Sequence, residues 1–303
     1  MSEIFDIIKK NKPTTSDNTI KQYVGNLNKL KKIFNSDNFD FLDNPEQVTE
    51  KLSNLKPYTI RNYYNSIIVF LGTEHETYDE YTKLRDELNK RYEDEQATGK
   101  ISANQKDNFI SMEALETMIA KMLRDVKPLI KKDELTTVDI NLLRGYTIFS
   151  ILVRIPTRND QSDMILVGKR LYNKLTEEDK QENNYLLSEK SSMKFIYNVY
   201  KTSKQYGENI VDIPKDLQKI LKMYIRKMKY KMGDNIFPIS RNALTQLLIK
   251  LSTKYSGKRI SSTMIRKIYL SSKYANTVKL MKEDASNMMH SPSLAQKVYI
   301  KEL

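Results

Sequence analysis

The chain has 303 residues and carries 51 Lys and Arg against 38 Asp and Glu, a net charge of +13, with 39% hydrophobic residues. That is enough apolar material for two domains with cores of their own. It has no cysteine and only two histidines, His75 and His290, which excludes disulfide scaffolds, thiol nucleophiles and Cys- or His-rich metal sites. Its eight glycines never take the GxGxxG or GxxxxGK[ST] spacing, so the common dinucleotide and ATP loops are missing as well. No apolar run approaches the roughly 18 residues of a membrane span. An aqueous intracellular setting without a membrane partner is expected.

The charge is unevenly spread. Residues 1–100 hold 15 Lys and Arg against 17 Asp and Glu, whereas residues 101–303 hold 36 against 21. A positive field confined to one part of a chain concentrates polyanions, and nucleic acid is the commonest inside cells.

In chain order, Thr15, Ser16 or Asp17 is placed to cap a helix whose Ile20, Tyr23, Val24, Leu27, Leu30 and Ile33 share one face. Pro45 opens a second helix, Tyr58 to about Phe70 forms a third, and a charged fourth runs from about Tyr78 to Glu95. These predict a four-helix bundle. Residues 96–109 lose the periodicity and read as a linker. Ser111 then caps a helix, and another from about Val138 to Val153 is apolar nearly all round, which predicts a central position. Three β-rich runs follow at 164–167, 194–200 and 209–213, the last two separated by the polar turn KTSKQYGE, so a small antiparallel sheet is expected. Helices resume at about 215–232, 241–254, 261–273, 277–287 and 292–301. The fold class is mainly α, with domains at 1–100 and 101–303.

Four separated pieces carry chemistry. IPTRND puts Arg158 at the end of the central helix, where its stem is expected to be buried and its guanidinium to need an anion. The polar turn offers Lys201 and Lys204. SSTMIRK sets Thr263 and Arg266 on one helical face among apolar neighbours. HSPSLAQKVY places His290 before a helix start, with Tyr299 nine residues on.

Arg, a hairpin Lys, xxxArg, then His and Tyr is an order that resembles the tyrosine recombinases, or phage-type integrases, over nearly the whole length. Within that family IPTRND, YKTSKQYG and MMHSPSLAQKVY look most like integrases of virophages, giant DNA viruses and related mobile elements. The resemblance implies a helical core-binding domain and a mostly helical catalytic domain, closing as a C-shaped clamp on duplex DNA. It implies DNA integration or recombination through a 3′-phosphotyrosyl intermediate, without ATP, metal or other cofactor. Tyr299 would be the nucleophile, and Arg158 and Arg266 would clamp the phosphate oxygens. His290 would donate to the phosphate, and Lys201, with Lys204 as the alternative, would protonate the leaving 5′ oxygen. The implied partners are double-stranded attachment sites and further copies of the chain, as a tetramer in the synaptic complex.

Two positions depart from the family pattern. Thr263 stands where most members have a histidine, and Gln161 where a carboxylate is usual, with Asp160 and Asp163 beside it as substitutes. A slower enzyme is expected. Only four residues follow Tyr299, whereas many members extend further and dock onto a neighbour. Supporting DNA contacts are expected from Arg61 in YTIRNYY and from Arg226 and Lys229 in KMYIRKMKYKM, where cations interleave with aromatics. The competing readings are a type IB topoisomerase, which uses the same residue logic on one duplex, a DNA-binding relative without catalysis, and, more distantly, a basic RNA-binding protein.

Overall fold

A computed structural model describes residues 3–97, 99 and 103–288. The fold is mainly α-helical with a small four-stranded sheet, and the chain divides into two compact units, Met1–Ile101 and Ser102–Leu303. Among the described residues no helix is long and apolar enough to cross a membrane.

The first unit consists of α1 (Glu3–Asn11), α2 (Asp17–Phe34), a 3-10 turn at Asp40–Asp43, α3 (Pro45–Leu52), α4 (Pro57–Leu71) and α5 (Tyr78–Ala97). Ser16 is the residue that caps α2, accepting from the Thr19 N–H. Ile20, Leu27 and Leu30 from α2 meet Ile67 and Tyr64 of α4 and Tyr81 of α5 in one core. The expected four-helix bundle is therefore incomplete. The added α1 buries Phe5 and Ile8, and its Asn11 side chain donates to the carbonyls of Val69 and Phe70, closing the end of α4. So short a helix repeats its apolar face only once, and docking rather than propensity stabilises it.

The second unit begins with α6 (Ala103–Lys106), so part of the expected linker is helical, and continues with α7 (Met112–Lys131) and α8 (Thr137–Leu152). Ser111 caps α7 by accepting from the Ala114 N–H. Helix α8 is central, burying Ile148, Phe149, Ile151 and Leu152, at about 1.5–3 kcal/mol of hydrophobic stabilisation for each large side chain. After β1 (Ile165–Val167) come α9 (Lys169–Tyr172), α10 (Glu177–Glu182), β2 (Tyr185–Ser188), β3 (Met193–Tyr197), α11 (Ser203–Tyr206) and β4 (Asn209–Asp212). The unit closes with α12 (Lys215–Lys227), α13 (Arg241–Ser256) and α14 (Ser262–Asn287). Helices α7, α12 and α13 surround α8. Gly145 of α8 lets α13 come close, since a Cβ there would sit 2.0 Å from the Leu251 side chain.

The sheet order is β1-β2-β3-β4, with β1 and β2 parallel and the other pairs antiparallel. This corrects the antiparallel expectation. The crossover through α9 and α10 brings β2 alongside β1 in the same direction, and YLLS is too short to show a period of its own. The two helices expected at 261–273 and 277–287 are one, α14, because no Pro or Gly interrupts it. The helix expected at 292–301 lies outside the described residues.

Candidate active site

Helix α8 ends at Leu152, and Pro156 then turns the chain away, since proline can neither continue the hydrogen-bond ladder nor leave its predecessor helical. Arg158 follows on this turn. It is exposed, not buried at its stem as the sequence suggested. Its side chain lines an open cleft of about 580 Å³, together with Lys201 from the turn after β3, Arg241 from the start of α13, and Thr263 and Arg266 from the start of α14. Lys201 is a cleft residue, whereas Lys204, on α11, is not.

Two helix N-termini border this cleft. Ser240 caps α13 and Ser261 caps α14, and neither helix has an acidic residue in its first turn. Both ends therefore keep the partial positive charge of unsatisfied N–H groups. Among the described residues the one carboxylate in the lining is Asp160, which is 6% exposed. Its oxygens face Arg241 at 3.5 Å and take a backbone hydrogen bond from Arg158. Burial raises the Asp160 pKa, and the cations of Arg241 and Arg158 oppose that rise. Of the sequence alternatives at this place, Asp160 faces the arginines. Asp163 is exposed, takes a left-handed conformation with φ of 58°, and accepts from Asn235. Gln161 is buried and donates to Thr157 and Tyr197.

Arg266 donates from Nη2 to the Thr263 hydroxyl oxygen at 3.1 Å, while its buried Nε has no partner among the described residues. Burial lowers the Arg266 pKa, and the like charge of Arg158 lowers it further, with Asp160 pulling the other way. A guanidinium stays charged at neutral pH regardless. Two cations are thus held close in a partly desolvated place with one carboxylate for company. Such a cleft gains from any oxyanion that enters it.

No protein-family model, curated protein or solved structure matches the chain. What the cleft can do is therefore argued from its own groups. Among the described residues no cluster of His, Asp or Glu is arranged to hold a metal ion. His290 and Tyr299 lie outside the described residues.

The remaining DNA-contact expectations fare differently. Arg61 is half-buried, with its guanidinium over the rings of Tyr58 at 4.8 Å and Tyr92 at 5.1 Å and a hydrogen bond to Asn89. These contacts all lie within its own unit. In the stretch 222–232, α12 stops at Lys227, and the aromatics turn inward: Tyr224 is buried, stacked on Phe237 and packed beside Tyr230. Arg226 and Lys229 are exposed, but the aromatic partners expected beside them belong to the core. His75, given no role from sequence, accepts from Thr77 and faces Asp43.

Sequence reasoning missed Arg241 and Asn184. The side chain of Asn184 donates to the carbonyls of Asp160 and Val199 and accepts from the N–H groups of Asn198 and Val199. One signal was present for Arg241: a cation directly after a serine cap opposes the usual helix-end preference. Asn184 gave none.

Proposed function

We propose that the cleft holds a DNA phosphodiester and that the chain is a tyrosine-type site-specific DNA recombinase, cutting and rejoining double-stranded attachment sites as a tetramer. The observation that carries this reading is the convergence of Arg158, Lys201, Thr263 and Arg266, from three distant parts of the chain, on one cleft bordered by two helix N-termini. The finer fold reading, a core-binding domain at 1–100 and a catalytic domain at 101–303, belongs to the same proposal. It is supported by the order of an all-helical unit and a mainly helical unit with a small sheet.

In this mechanism the Tyr299 oxygen forms a bond to phosphorus as the bond from phosphorus to the 5′ oxygen breaks, and the Lys201 ammonium gives its proton to that oxygen. Arg158 and Arg266 stabilise the charge on the non-bridging oxygens. His290 donates to the phosphate. Thr263 accepts from Arg266 and so keeps its own proton to donate to the phosphate. The energy of the broken linkage stays in the phosphotyrosine, so a 5′ hydroxyl reseals the strand without ATP.

The test uses nicked suicide duplexes drawn from the ends of the element that encodes the chain. A covalent protein–DNA product is expected with the native chain and none with Tyr299→Phe, at equal binding. Binding without any product would leave a DNA-binding relative only. Plasmid relaxation at limiting protein, with no joined products from paired sites, would instead favour a type IB topoisomerase.

A further inference from the structure

Lys201 sits exposed on its turn, and among the described residues its ammonium has no hydrogen-bond or ion-pair partner. What fixes its place is backbone two residues earlier. The Val199 carbonyl accepts from Arg241 Nη2 at 2.9 Å and from Asn184 Nδ2 at 3.1 Å, which occupies both lone pairs. Arg241 also faces the buried carboxylate of Asp160, and that carboxylate takes the backbone N–H of Arg158. The Asn159 side chain completes the link by donating to the Arg241 carbonyl at 2.9 Å and to Thr245 at 2.7 Å. One guanidinium thus joins the turn bearing Lys201 to the turn bearing Arg158. It does so from the first residue of α13, where a cation works against the helix dipole. A position with that local cost holds arginine for a tertiary reason.

We propose that Arg241 is a positioning residue for Lys201: it sets the lysine turn against the scissile phosphate and leaves phosphate clamping to Arg158 and Arg266. This inference rests on the recombinase reading given above. Lys201 supplies one proton to the 5′ oxygen as the bond from that oxygen to phosphorus breaks. Loss of Arg241 leaves the proton donor misplaced while the clamp remains.

A duplex in which sulfur replaces the bridging 5′ oxygen separates these roles, because a thiolate leaves without a proton. On the ordinary nicked duplex, Arg241→Gln is expected to slow covalent adduct formation on the order of 100-fold, the lower range of general-acid contributions. On the sulfur duplex the deficit is expected to shrink to a few-fold, as it should for Lys201→Ala, while Arg158→Ala stays slow on both. Arg241→Lys, which keeps the charge without the fork, guards against a folding defect and should show the same rescue at a smaller deficit. Equal deficits on both duplexes, or native speed of both Arg241 variants on the ordinary one, overturn the inference. Absence of any adduct from the native chain on either duplex overturns the recombinase reading itself, and the inference with it.

Discussion

Arg266 and Arg158 are held near one another beside Asp160 in the cleft lining, and burial together with mutual repulsion lowers the Arg266 pKa. An entering oxyanion removes that repulsion. Inorganic phosphate or vanadate is therefore expected to raise the melting temperature of the full chain, by the equivalent of about 2.7 kcal/mol at a hundredfold excess over the dissociation constant. Arg158→Ala and Arg266→Ala should abolish the rise, and Arg61→Ala should leave it intact. An equal rise in all of them would place the anion elsewhere. Helical spacing placed Thr263 beside Arg266 in the sequence, whereas the expectation that Arg158 would join them came from the family resemblance alone. Lys201 was favoured there with Lys204 as the alternative, and of the two it is Lys201 that lines the cleft while Lys204 lies on α11. Arg241 and Asn184 act on backbone carbonyls distant in sequence, a role that no local pattern announces.

Helix α8 shows how one element sets the place of the cleft. Its N-terminus carries a reciprocal cap, in which Thr136 accepts from the Asp139 N–H and Asp139 accepts from the Thr136 N–H. The Asp139 pKa is lowered from 3.8 to about 2, first by the hydrogen bond from Lys132 and then by those from Thr136. A carboxylate bound more tightly when ionised stabilises the fold above its ordinary pKa, and that contribution is lost as pH falls from about 4 through about 2. Thr136→Ala is expected to cost about 1 kcal/mol at neutral pH. Asp139→Asn should be less stable than the native chain at pH 6, with the difference closing by pH 2 in denaturant titrations. A constant difference would mean that Asp139 acts by packing alone. Most helices were legible because their apolar residues recur every three or four positions. Strand β2 and helix α1 were not, since each is too short to declare a period and is stabilised by what it docks against.

At the scale of the molecule, the positive charge and the cleft occur together. The unit that contains Arg158, Lys201, Arg241 and Arg266 is also the one with the cationic excess, while residues 1–100 are slightly acidic. Duplex affinity is expected to fall steeply and linearly on a log–log plot against salt. Lysine footprinting of the full chain on DNA should find its protected sites mainly beyond residue 101. Protection concentrated before that residue would contradict the charge argument.

Helix α14 is a rod rooted at the cleft. Its N-terminal end contributes Thr263 and Arg266 to the lining, its Met264, Ile265 and Ile268 are buried, and beyond them Leu270, Tyr274, Val278 and Leu280 stand exposed before Ala285 is buried again. From Arg266 to Asn287 the axis runs about 32 Å at 1.5 Å per residue. The far end of this rod therefore stands about the diameter of a small domain away from the guanidinium at its root.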